Sequence, residues 1–246
     1  MCRHLGYLGP PVPLQNLIFD PPHALATQAW APRDMRGGGT VNADGFGVGW
    51  WPPGASAPVR HRSAMPIWTD ATLPLLAAAT SSGAVLAAVR SATVGLPVVE
   101  TAAAPFTDGR WLFSHNGVVR GWPSAIAAQA RDLPIEDLLT LDAPTDSATL
   151  WALVRAKLRS GEPAAKAVAA VVTEVAVAAP GSRLNLLLSD GGQMIATTFG
   201  HALSVRQSRD STLISSEPLD PGPAWRHVPD GHLVVATAGQ VEITPL

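Results

Sequence analysis

The order of apolar and polar positions divides the chain into strand-like and helix-like stretches. Residues 3–9 (RHLGYLG) form a short apolar run that begins directly at Cys2 and predicts a strand. Residues 10–43 are rich in Pro and Gly, with room for a helical turn or two around 14–19 and 23–30. In 45–51 (GFGVGWW) Gly alternates with Phe, Val and Trp, as in a strand whose small positions let another layer approach closely. Residues 70–80 predict a helix, and 84–89 a buried strand that ends at Arg90. WLFSH (111–115), the dipeptide Asn116-Gly117 and VVR (118–120) read as a hairpin turning at the dipeptide. Residues 146–159 follow Thr145 and put Leu150, Leu153, Val154 and Leu158 on one helical stripe, and a second, Ala-rich helix fits 163–178. From 183 to 243 the pattern turns to strands: LNLLLS, MIATTF, ALSVRQ, TLISS, HLVVATA and VEI.

Strands, a central pair of helices, then strands again predict an α+β fold with layered sheets. A doubly wound parallel sheet needs a regular alternation that is absent. GFGVG leads into Trp50-Trp51-Pro52-Pro53, where no helix can start, so it is not a dinucleotide-binding turn. No repeat, charge block or flexible linker interrupts the chain, and residues 1–246 read as a single domain.

Composition narrows the function classes. At 47% apolar and 15% charged residues, the chain can bury a sizeable core and is not disordered. Its 17 basic and 19 acidic side chains leave a net charge of −2, and the basic ones are scattered, so neither nucleic acid nor an anionic membrane is an expected partner. One cysteine excludes an internal disulfide and every multi-cysteine metal site. The seven histidines are dispersed, and no metal, nucleotide or other cofactor is expected. Lys166 and Glu174 interrupt the longest apolar stretch, and the N-terminus has no apolar leader, so the expected location is the cytoplasm.

The single cysteine stands at position 2. Removal of Met1 would leave a free α-amine on the residue that carries the thiol. Such an amine, with a pKa of about 7.7–8.0, can take the thiol proton and later return it to a leaving amine. Cys2 is therefore a candidate nucleophile carrying its own base, although a buried small hydrophobe is the ordinary reading of one cysteine. Arg90 is the lone charge at the end of an apolar strand, which fits either a buried ion pair or a bidentate grip on a substrate carboxylate, with Thr93 adding a hydroxyl. Asn116 and Gly117 can form a turn, or face a developing oxyanion with a side-chain amide and a backbone N–H. Asp146 reads as a helix cap or as a carboxylate for a substrate ammonium, and Asp44 as a turn residue.

Taken in order, Cys2, R-S-A-T-V-G (90–95), S-H-N-G-V-V (114–119), T-D-S (145–147) and S-S-E-P-L (215–219) resemble the glutaminase domain of class II glutamine amidotransferases, which are N-terminal-nucleophile hydrolases. The resemblance spans essentially the whole chain. It implies a four-layer αββα sandwich with Cys2 at a strand end facing the cleft between the sheets. It also implies catalytic roles for Cys2 (thioester-forming nucleophile), Asn116 and Gly117 (oxyanion hole), with Arg90 and Thr93 on the glutamyl α-carboxylate and Asp146 on the α-ammonium. In the stretch 102–106 the chain reads A-A-A-P-F, with Ala104 where synthetase-linked members usually carry histidine, a change expected to open space for a larger leaving group. The more particular stretches C-R-H-L-G-Y-L-G, L-I-F-D-P-P-H-A-L and N-A-D-G-F-G-V-G-W resemble members that act on a small-molecule γ-glutamyl conjugate, in which the amide nitrogen belongs to a cysteine bearing a hercynyl group. That leaving half would carry a trimethylammonium, and Tyr7, Trp30, Trp50, Trp68 and Trp111 are the candidate aromatic partners. His4 and His115 are candidate contacts for it or core histidines. The alternatives are a stand-alone glutaminase subunit that passes ammonia to a partner and a catalytically silent glutamyl-binding protein.

Overall fold

The computed structural model describes residues 2–36 and 41–246. Along the chain, β1 (Arg3–Pro13), α1 (Gln15–Ile18) and α2 (Leu25–Trp30) precede β2 (Phe46–Trp50), β3 (Val59–Ser63), α3 (Thr72–Ala79) and β4 (Ser81–Val89). Then come β5 (Phe106–Asp108), β6 (Trp111–Val118), α4 (Ala127–Arg131), α5 (Ile135–Leu139), α6 (Asp146–Arg159) and α7 (Ala164–Ala178). The remainder is β7 (Arg183–Ser189), β8 (Met194–Thr198), β9 (Ser204–Gln207), β10 (Thr212–Ser215), β11 (Trp225–His227), β12 (His232–Thr237) and β13 (Gln240–Pro245). Two antiparallel sheets result, one ordered β11-β9-β10-β1-β4-β2-β3 and the other β13-β12-β8-β7-β6-β5.

Strand alternation builds four layers from these sheets. In β1, Leu5 and Tyr7 pack outward with Leu17, Ile18, Leu25 and Leu73 of the first three helices. Leu8 points inward and joins Leu86, Leu112, Leu187, Met194 and Ile214 between the sheets. Gly6 also lies on this inner face, where an added Cβ would come 2.7 Å from the Met194 sulfur. On the second sheet, Phe113, Leu184, Leu186 and Leu188 pack outward against Trp151, Val154, Val168 and Val172 of α6 and α7. The Phe113 and Trp151 rings stack with centroids 5.3 Å apart. Helix, sheet, sheet, helix is the αββα order expected from the sequence.

Two local expectations are overturned. The segment 111–120 is not a hairpin: β6 runs unbroken through Asn116 and Gly117, pairing Asn116 with Asn185 and Gly117 with Leu184. Gly117 lacks the positive φ that a type I′ turn demands. It is glycine because a Cβ there would lie 1.8 Å from the Arg183 carbonyl oxygen. Asp146 does not cap α6 either, since Thr145 does so by accepting the Ala148 N–H at 3.2 Å. That leaves the Asp146 carboxylate free for other partners. The strands β3 and β5 and the helices α4 and α5 are short, mixed segments without enough periodicity to be read from sequence.

Candidate active site

Cys2 stands at the start of β1, the central strand of its sheet, with β4 on one side and β10 on the other. It is half-buried, and its Sγ–H points to the Ser91 carbonyl oxygen at 3.8 Å. With Arg90, Ala104, Ser114, His115 and Ser147 it lines a small cavity of about 20 Å³. Two sheets and the N-terminus of α6 therefore meet at the thiol. Met1, whose removal would free the α-amine, lies outside the described residues.

Arg90 is buried and makes no ion pair among the described residues, which removes the structural ion-pair reading. Its Nη1 donates to the carbonyl oxygens of Pro97 (2.9 Å) and Asp44 (3.4 Å), which orient the guanidinium without neutralising it. Asp44, expected only to make a turn, accepts the Ala92 N–H at 2.8 Å and so pins the 90–95 segment carrying Arg90 and Thr93. Thr93 and Asp146 both line a second cavity of about 320 Å³, whose wall also includes Val118 and Trp122. Asp146 accepts the Val119 N–H on Oδ2 at 2.9 Å and the Ser147 N–H on Oδ1 at 2.8 Å. Arg90 and Ser147 line the first cavity and Thr93 and Asp146 the second, so the three predicted glutamyl-side residues come from the same two short stretches, 90–93 and 146–147.

Asn116 is buried on the sheet facing Cys2, and its Nδ2 lies 3.4 Å from Ser216 Oγ. Its Oδ1 has no hydrogen-bond partner. Ser216 is itself fixed at the head of β1, because its Oγ accepts the His4 N–H (3.0 Å) and its N–H reaches the His4 carbonyl (2.9 Å). His4 and His115 are core histidines. Burial, then the neighbouring His115 and Arg3, push the His4 pKa down to about 3. His115 donates from Nε2 to the Arg183 carbonyl (2.9 Å), so its Nδ1 accepts from Ser147 Oγ (2.9 Å), and burial lowers its pKa.

Sequence reasoning missed the group that holds Cys2 from behind. Arg3 Nη1 donates to the Cys2 carbonyl at 3.0 Å, and Arg3 Nε pairs with Glu217 at 2.9 Å. The other Glu217 oxygen meets His23 Nε2 at 2.6 Å, and the N–H groups of Arg33 and Asp34 donate to the same carboxylate. Burial alone would raise the Glu217 pKa, but His23, the two N–H donors and Arg3 outweigh it and hold it at about 2. The available signal was Arg3 itself, a charge in the apolar run opening the chain.

Ala104 lines the same small cavity as Arg90 and Cys2. One further expectation is corrected. None of the five aromatic candidates lines the cavity that holds Cys2 or the one that holds Thr93 and Asp146; Trp122 lines the latter, and Trp225, its ring covered by the Arg206 guanidinium at 5.0 Å, lines a separate cavity with Ser216 and Glu217. Among the described residues no helix is long and apolar enough to cross a membrane, and no His/Cys/Asp/Glu cluster could hold a metal.

Comparison with known proteins fits this geometry. The family model for class II glutamine amidotransferases matches residues 17–208. The chain is 40% identical over 246 residues to a γ-glutamyl-hercynylcysteine sulfoxide hydrolase of Mycolicibacterium smegmatis, covering all of both chains. It is 41% identical over 248 residues to the protein of that name in Mycobacterium tuberculosis, covering all of this chain and 97% of the relative. The fold is shared with a glutamine aminotransferase class-II domain protein from Silicibacter pomeroyi, at a TM-score of 0.71 and 24% identity over 99% of both chains.

Proposed function

The chain belongs to the class II glutamine amidotransferase family, and from that premise we propose that it hydrolyses the γ-glutamyl amide of γ-glutamyl-hercynylcysteine S-oxide, releasing glutamate and hercynylcysteine S-oxide in ergothioneine biosynthesis. It is an amidohydrolase by kinship, and the substrate is that named for relatives matching it from end to end. One observation of the structure carries the reading: Cys2 shares a cavity with the buried, unneutralised Arg90, a nucleophile beside a cation suited to an α-carboxylate.

In this mechanism the Cys2 thiolate attacks the γ-carbonyl carbon. The oxyanion so formed takes hydrogen bonds from Asn116 Nδ2 and the Gly117 N–H. The α-ammonium of Cys2, freed by loss of Met1, gives its proton to the departing cysteine nitrogen as the C–N bond breaks. The neutral amine then removes a proton from water, which attacks the thioester and expels glutamate and the thiolate. Arg90 and Thr93 hold the α-carboxylate of the glutamyl half and Asp146 its ammonium. Asp146 retains acceptor capacity beyond its two backbone partners, as that role requires. Residues 1–246 act in this reading as one domain in the cytoplasm, on a small molecule and without nucleic acid or cofactor.

The test is glutamate release from γ-glutamyl-hercynylcysteine S-oxide and from glutamine, side by side, on protein whose first residue is verified by mass. Strong preference for the conjugate and complete loss in Cys2→Ala are expected. Equal or better turnover of glutamine would instead identify a glutaminase subunit. Undiminished turnover by Cys2→Ala would overturn the mechanism.

A further inference from the structure

A place for the leaving half of such a substrate exists on the side of Cys2 away from Arg90. Arg90 follows β4, on one side of β1, whereas β10 is on the other. Beyond β10 is a cavity of about 380 Å³ whose wall includes Ala202, Ser216, Glu217 and Trp225. Ser216 ties this cavity to the oxyanion site, since the same residue meets Asn116 Nδ2. The volume falls within the range of small-molecule sites.

The charges around this cavity are unequally committed. Glu217 is spent on Arg3, His23 and two backbone N–H groups. Asp34 pairs with Arg36, and Asp220 with Arg206, the Gly222 N–H and Trp225 Nε1. What is left over is cationic: Arg33 in the wall, its side chain exposed, makes no ion pair among the described residues, and a second such cation, Arg183, stands outside the wall on the inner face of the other sheet. Arg183 opens β7, opposite Val118, and alternates onto the same inner face as Asn185, the pairing partner of Asn116. Its Nε donates to His201 Nε2 at 3.0 Å, and the next residue, Ala202, is in the cavity wall. His201 can accept because burial, then Arg183 and Arg3, hold its pKa at about 3. Arg183 has no ion pair among the described residues. Burial and the charge of Arg120 lower its own pKa, the mark of two guanidinium groups near each other without a counter-ion. A bound carboxylate would relieve both costs and leave the Arg183 terminal nitrogens paired.

We propose that Arg183 is a specificity-determining residue that binds the carboxylate on the carbon bearing the leaving nitrogen, so that the enzyme selects γ-glutamyl amides of α-amino acids over amides lacking that carboxylate. The inference deepens, and rests on, the reading of the chain as a γ-glutamyl hydrolase. It assigns recognition of the leaving half to its anionic end, which the uncommitted charge matches, and not to its trimethylammonium.

The experiment compares γ-glutamylalanine with γ-glutamylethylamide, which differ only by that carboxylate, on the wild type, Arg183→Ala and Arg183→Lys, with the hercynyl conjugate as a third substrate. The wild type is expected to favour γ-glutamylalanine. Arg183→Ala is expected to lose about 10- to 100-fold in kcat/KM on γ-glutamylalanine and the conjugate, mostly through KM, with γ-glutamylethylamide unchanged and partial recovery in Arg183→Lys. Equal losses on all three substrates, or none on any, overturn the proposal alone. Absence of glutamate release by the wild type from every compound overturns the γ-glutamyl reading and the proposal with it.

Discussion

Under the proposed mechanism, single residues around Cys2 divide into those that meet substrate and those that hold the nucleophile still. Asn116 belongs to the first group, its Nδ2, held at 3.4 Å from Ser216 Oγ, donating its second N–H to the oxyanion as it forms. Asn116→Ala is expected to lower kcat about 10²- to 10³-fold with KM little changed, measured by steady-state glutamate release. A proportionate rise in KM instead would assign Asn116 to ground-state binding. Glu217 belongs to the second group. Glu217→Gln leaves Arg3 buried against a neutral amide, and unfolding in urea is expected to show a loss of about 3–5 kcal/mol. The same substitution is expected to lower kcat more than it raises KM, because Arg3 reaches the Cys2 carbonyl and not the substrate. Arg90 could be singled out in the sequence because a charge closing an apolar strand needs a partner. Arg3 carries the same signature, but its partner Glu217 is 214 positions away, and no local pattern links the two.

At the scale of elements, β6 joins catalysis to architecture. The strand is continuous through Asn116 and Gly117, so the amide and the N–H assigned to the oxyanion are fixed by ladder pairing with β7 and not by a turn. Gly117→Ala is expected to force β6 and β7 apart, because the new Cβ would overlap the Arg183 carbonyl oxygen. Both a lowered melting temperature and a loss of activity follow, whereas a variant with wild-type melting and reduced rate would show that the strands tolerate the methyl group. Elements with a strong internal period were legible from sequence. The helix read at 146–159 matches α6, and the run at 84–89 lies within β4. Asn116-Gly117 misled for a physical reason: the dipeptide favours a type I′ turn locally, but the close approach of β7 uses the same glycine for its lack of a side chain.

For the whole molecule, the layered α+β plan was legible because the helical pair interrupts two groups of strands. The register of one sheet over the other was not, since it depends on inner-face packing that no single segment encodes. That packing also sets a pH dependence. His4 and His201 stay neutral down to about pH 3 in the folded chain, whereas an unfolded histidine takes up a proton near 6.5. Protonation therefore favours the unfolded state, and stability is full above about pH 6.5 and declines as pH falls towards 3. Glu217, held at about 2, adds a second loss as pH falls below the ordinary carboxylate range near 4.5. Urea midpoints are expected to fall steadily from pH 7 to pH 5, and a flat profile over that interval would contradict the burial of the two rings. The sheet order carries one more consequence, for synthesis. Cys2 begins a strand locked between β4 and β10, and β10 begins only at Thr212. At ordinary elongation rates of about 5–20 residues per second, the N-terminus waits roughly 10–40 s for that neighbour to leave the ribosome. The removal of the initiator methionine that the proposed mechanism requires thus has its natural window on the nascent chain, before β1 is sealed into the middle of its sheet.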